Sequence, residues 1–116
     1  MIERGDKMET GYIGNKSVWT KEDQKKIDEK YFKVIRITDR YCEIMSLNTK
    51  HCWIICKSLL DNKRPIILYH KHSLGHAYYH KHWEAFTISQ AVGSIKNHDK
   101  YVLESMNQKE ELYYCS

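Results

Sequence analysis

FKVIRITDRYCEIMSLNTKHCWIICKSL, residues 32–59, holds three short runs of strand formers separated by two polar triplets. Phe32 to Ile37, Tyr41 to Leu47 and Cys52 to Leu59 are rich in β-branched and aromatic side chains and read as strands. Thr38-Asp39-Arg40 and Asn48-Thr49-Lys50 read as the turns between them. Links this short join antiparallel neighbours, because a parallel crossover needs a dozen residues or more. After a polar loop, Asp61 to Pro65, a fourth strand is expected over Ile66 to His72 and a fifth over Ala77 to Trp83. Upstream, Thr20 is a candidate N-cap, with Glu22 and Asp23 in the first turn of a helix through KEDQKKIDEKY. Downstream, Ser89 offers a cap for QAVGSIKNH, with Ala91, Val92 and Ile95 on one face and His98-Asp99 as its end; Tyr101 to Leu103 then reads as a closing strand or a docked extension. The expected fold is α+β: an antiparallel four- to five-stranded meander flanked by an N-terminal and a C-terminal helix. Residues 1–16 are expected to be a flexible N-terminus, 17–105 a single α+β domain and 106–116 a C-terminal tail.

At 116 residues and 41% hydrophobic content the chain suits one small globular domain. It has no run of 18 apolar residues, so no membrane span or membrane partner is expected. The opening MIERGDKMETGYIGNK lacks an apolar segment and does not read as a secretory signal. The four cysteines are therefore expected as reduced thiols in the cytoplasm. Cys52 and Cys56 on one strand would sit about 13 Å apart, too far for one zinc ion. Cys42, Ile44, Cys52, Ile54 and Cys56 share one parity and read as a buried face.

Five of the seven histidines fall in YHKHSLGHAYYHKH: His70, His72, His76, His80 and His82. A tyrosine precedes each HKH triplet, which suggests two strands around Leu74-Gly75. Two histidines at spacing two on a strand share a face, about 6.6 Å apart at Cα, a workable bite for zinc. Register decides whether the two pairs meet. Cross-strand partners summing to 148 put all five histidines on one face, whereas partners summing to 149 put the two pairs on opposite faces. No cofactor is expected; His70, His72, His80 and His82 are the candidate zinc ligands should the pairs converge. No carboxylate lies close in sequence to orient them.

The segment Lys57 to Lys81 also carries the whole net charge of +4, through Lys57, Lys63, Arg64, Lys71 and Lys81 against Asp61. Those cations could meet phosphates while Tyr69, Tyr78, Tyr79 and Trp83 stack on bases, which makes a nucleic-acid-binding module the alternative reading. A histidine-based or metal-dependent nuclease is the lesser one. A hairpin followed by Asn97-His98 has a loose likeness to ββα-metal nucleases, but the loop SLG lacks their asparagine. No enzyme activity is expected.

LNTKHCWIICK, PIILYHKH and YYHKHWEAFTISQAVGSIKNHDKYVLES resemble small accessory proteins of Gram-positive phages and prophages, over residues 32–105. That group brings no catalytic residues to carry over. The resemblance implies a phage-encoded, non-enzymatic binding protein that regulates or inhibits a host protein by contact, such as a CRISPR or other defence component or a nucleoprotein. The basic surface argues against DNA mimicry, which uses acidic chains. The expected contact surface is Lys63, Arg64, Tyr69, His70, Lys71, His72, His76, Tyr78, Tyr79, His80, Lys81, His82 and Trp83.

Overall fold

Apolar residues at every second position of the central runs give each strand one face to bury, and one sheet results. The computed structural model describes residues 18–58 and 64–115, with side chains to residue 107. Its strands are β1 (Phe32–Ile37), β2 (Tyr41–Ser46), β3 (Cys52–Lys57), β4 (Ile66–Lys71) and β5 (His80–Ala85). They pair in sequence order, every pair antiparallel. A one-turn helix α1 (Lys21–Gln24) precedes the sheet and a 28-residue helix α2 (Ile88–Cys115) follows it. The protein is thus α+β, with the five-stranded meander the sequence leads one to expect. No described helix is long and apolar enough to cross a membrane.

The registers Cys42↔Ile55 and Ile55↔Leu68 line up one buried face, and Ile44↔Trp53 and Trp53↔His70 extend it. Onto that face α2 lays Ile88, Ala91, Val92 and Ile95, all buried, at the spacing of a helical stripe. Trp19, Ile27 and Phe32 close the margin of this core. Each fully buried large aliphatic side chain contributes about 1.5–3 kcal/mol.

Five local expectations change. The N-terminal helix stops after one turn, with a capping box between Thr20 and Asp23. Ile27 and Phe32 are both buried. Five residues apart on one helix they would point roughly 140° apart, so the chain leaves the helix to bury both. The second helix is capped by Thr87 and not Ser89: Gln90 donates its N–H to Thr87 Oγ1 at 3.0 Å. It does not end at His98-Asp99 and absorbs the expected strand at Tyr101, because no Gly or Pro follows to stop it. β5 begins at His80 and not Ala77. The buried Lys71 ammonium donates to Leu74 O at 3.3 Å and His76 O at 3.0 Å, and Tyr79 donates to Glu43 Oε2 at 2.7 Å. These bonds wrap residues 74–79 back over the outer face before pairing can start. Finally, Cys42 pairs with Ile55 while Cys52 pairs with Met45 and Cys56 with Tyr41, so the cysteines divide between the two faces. The shared parity failed because the link between β2 and β3 reverses it.

Candidate metal centre

His70 is the second residue beyond Leu68 on the inner face of β4, and only 2% of it is exposed. Trp53, its cross-strand partner, lies against it with ring centroids 4.2 Å apart. On the other flank, His70 pairs with His80 and Tyr69 with Lys81, whereas Leu68 pairs with Trp83. Partners therefore sum to 150 beside the histidines, which has the same parity as the converging register. His82 is the extra residue of a bulge. Bulges re-aim side chains, and here the His82 ring reaches His70 at 5.5 Å.

Two further histidines join from elsewhere in the chain. His51 directly precedes β3, in a link closed by Lys50 N–H to Ser46 O and Ser46 N–H to His51 O, with Lys50 at a positive φ of 67°. His98 lies one turn beyond Ile95 on α2, so the helical stripe that buries Ile95 carries it over the sheet. Rings of His51, His72, His80 and His98 lie 5.0, 5.2, 5.2 and 4.8 Å from that of His70. His76 stacks on His72 at 5.7 Å. All seven histidines of the chain thus form one connected cluster.

Two triads within it bring ligand nitrogens close together. One ligand nitrogen each from His51, His70 and His98 lie within 4.8 Å of one another, and so do those of His70, His80 and His82. His51 Nδ1 and His70 Nε2 are 2.8 Å apart, hydrogen-bond distance, so one proton lies between them. His98 Nδ1 is buried without a hydrogen-bond partner among the described residues. Burial lowers the pKa of His70 to about 3, helped by the positive charge that His98, His51, His82 and His72 would add. Partial desolvation also lowers His51 and His98, and lowers the exposed His82 together with the charge that His98 and His80 would add. These imidazoles are neutral near pH 7, the form that ligates metals.

One carboxylate stands beside the cluster. Asp99 is fully buried and accepts from Tyr31 OH at 2.8 Å and Thr49 Oγ1 at 2.9 Å. Burial, with the Asp99 carboxylate, raises the Tyr31 phenol to about 12. Asp99 opposes the lowering of both His51 and His98. The bond between residues 49 and 99 ties the β2–β3 link to α2, and so sets the spacing of His51 and His98. Asp99 is the carboxylate that the fold brings to the cluster; among the described residues its hydrogen bonds go to Tyr31 and Thr49, and it acts on His51 and His98 through its charge.

The residues expected to form one contact surface are distributed differently. His70 and Lys71 are buried, and Tyr69 is half-buried on the outer face opposite Ile54. Lys71 lies over the Tyr79 ring. His72, His76, His80 and His82 are exposed at the mouth of the cluster. Lys81 pairs with Glu84 and Arg64 lies over Phe86, while Lys57 is held by Asp23 at 2.6 Å. Tyr78 is 85% exposed and Trp83 38%. Lys63 lies outside the described residues. The sequence reading missed His51 altogether and took His98 for a helix end. The alternation His51, Trp53, Ile55 and the stripe Ala91, Ile95, His98 were the signals present. No family model, no curated protein and no solved structure matches this chain.

Proposed function

We propose that this protein binds a divalent transition-metal ion of the zinc, copper or nickel class through its histidine cluster. The observation that carries this reading is the His51–His70–His98 triad, three nitrogens within 4.8 Å of one another. An all-imidazole donor set suits these metals and not magnesium or calcium. One hydrogen bond accounts for His51 and His70; it leaves His98 Nδ1 buried and unpartnered, a position that costs free energy unless something ligates it. Titration of chelator-stripped protein with Zn(II) in a calorimeter tests this. Stoichiometric binding that raises the melting temperature, and that weakens at least tenfold in His98→Ala, is expected. Protein that keeps no zinc through dialysis and melts unchanged in excess Zn(II) overturns it.

A second reading is favoured by Tyr78, Trp83, Leu74 and Phe86, large apolar side chains left exposed on and around the segment between β4 and β5. Aromatic side chains dominate binding hot spots. On this reading the segment docks on a host protein, such as a defence component, and inhibits or regulates it; a nucleic-acid face is its variant. Retention from host lysate that survives nuclease and is lost in Tyr78→Ala with Trp83→Ala supports docking. Retention that vanishes with nuclease favours nucleic acid.

A further inference from the structure

The two triads have one residue in common, His70. Its ring lies between two pairs, His51 and His72 on one flank and His80 and His82 on the other. Among the described residues, neither ring of one pair lies against a ring of the other. His98 spans the two flanks, 5.5 Å from His51 and 5.3 Å from His82. His70 Nε2 is directed at His51, which leaves its other ring nitrogen, Nδ1, for a second ion. Triads that share a ligand can share it in two ways. They can compete for one nitrogen and hold a single ion, or use one nitrogen each and hold two.

Resting on the metal-binding reading, we propose that the cluster is a two-ion centre bridged by His70. One ion is held by His51, His70 Nε2 and His98, the other by His70 Nδ1, His80 and His82. Two features beyond proximity support two ions. The bulge at His82 takes that side chain out of the ladder and brings it within reach of the flank opposite His51. The triads also differ in access: His51 and His98 are half-buried, whereas His80 and His82 are exposed. The outer ion keeps a coordination position open to water or to an oxygen-donor anion, the arrangement that distinguishes reactive from closed sites. Metal–nitrogen bonds of about 2 Å on both sides of one ring hold the ions on the order of 6 Å apart. When the second ion binds, the His70 Nδ1–H bond breaks, an Nδ1–metal bond forms, the proton leaves to solvent, and no oxidation state changes.

Cu(II) added stepwise to the chelator-stripped full chain, followed by electron paramagnetic resonance with spin counting, tests nuclearity. Two Cu(II) per chain are expected. The signal should rise to one equivalent and then fall as the second ion enters, because a bridging imidazolate couples the two spins. His80→Ala with His82→Ala changes exposed side chains only; this variant should bind one Cu(II), with an uncoupled signal that does not fall. One Cu(II) per wild-type chain, or two whose signals simply add, overturns the bridge and leaves metal binding standing. Two coupled ions in the double variant overturn the assignment of the outer site. No bound Cu(II) overturns the bridge and the metal-binding reading together.

Discussion

The inner face of the sheet has two ends built from the same three elements. At one end β3, β4 and α2 contribute Ile55, Leu68 and Ile95; at the other they contribute Trp53, His70 and His98. Two residues along each strand, or one turn along the helix, turn an aliphatic interior into an imidazole one. The aliphatic end is held by removal of apolar surface from water and needs no partner chemistry. The imidazole end is buried at similar depth around His70, yet its nitrogens require protons, hydrogen bonds or ions. Backbone geometry is common to both ends, so stability and site chemistry are separable along one scaffold.

Leu68→Ala should break the comparison most severely. Leu68 is fully buried, and truncating such a side chain costs about 2–5 kcal/mol. Urea unfolding of the metal-free protein should show a loss in that range. A loss below about 1 kcal/mol would mean that the aliphatic end is not what holds the fold.

Acid should attack the other end. Folding lowers the pKa of His70, His51, His82 and His98. Below pH 6.5 the unfolded chain therefore binds protons that the folded chain refuses, and stability falls with falling pH. For His70 the window runs from about 6.5 down to about 3. The loss from this residue between pH 6.5 and 5 is about 2 kcal/mol, at 1.36 kcal/mol per unit. Asp23 has a lowered pKa and loses its contribution only at more acidic pH, so the histidine window is separately readable. Metal-free protein whose unfolding free energy stays flat from pH 7 to 5 would contradict the burial of His70.

Much of this contrast was legible in the sequence, and what escaped was long-range. Alternation in residues 32–59 and the short polar links suffice for the meander, since period and link length are local properties. The HKH triplets place His70, His80 and His82 on strands for the same reason, and His72 one residue past β4. The register does not follow from them. It depends on Lys71 gathering Leu74 and His76, on Tyr79 reaching Glu43 and on the bulge at His82, none of which has a local signature. His51 lies 19 residues from its partner His70. Asp99 lies 68 residues from Tyr31, so the carboxylate beside the cluster is found only once α2 is docked.

His70→Leu should produce the smallest change in stability, and its sign is the informative part. Leucine is close to histidine in volume and would continue the aliphatic face, packing on Trp53 as Leu68 packs on Ile55. Swaps of similar volume in a core usually cost below about 1.5 kcal/mol. Replacing a buried polar group with an apolar one can be neutral or stabilising, provided the partners it leaves stay hydrated or paired. Metal-free His70→Leu should therefore unfold within about 1 kcal/mol of the parent at pH 7, and should lose the steep acid sensitivity below pH 6.5. The same variant should bind no zinc. Retained stability with lost metal binding would mark His70 as a residue kept at some cost for a ligand. A loss of more than about 2 kcal/mol would instead make His70 a structural keystone whose hydrogen bond to His51 holds the end of the sheet, and the difference between the two ends would then be one of packing and not of function.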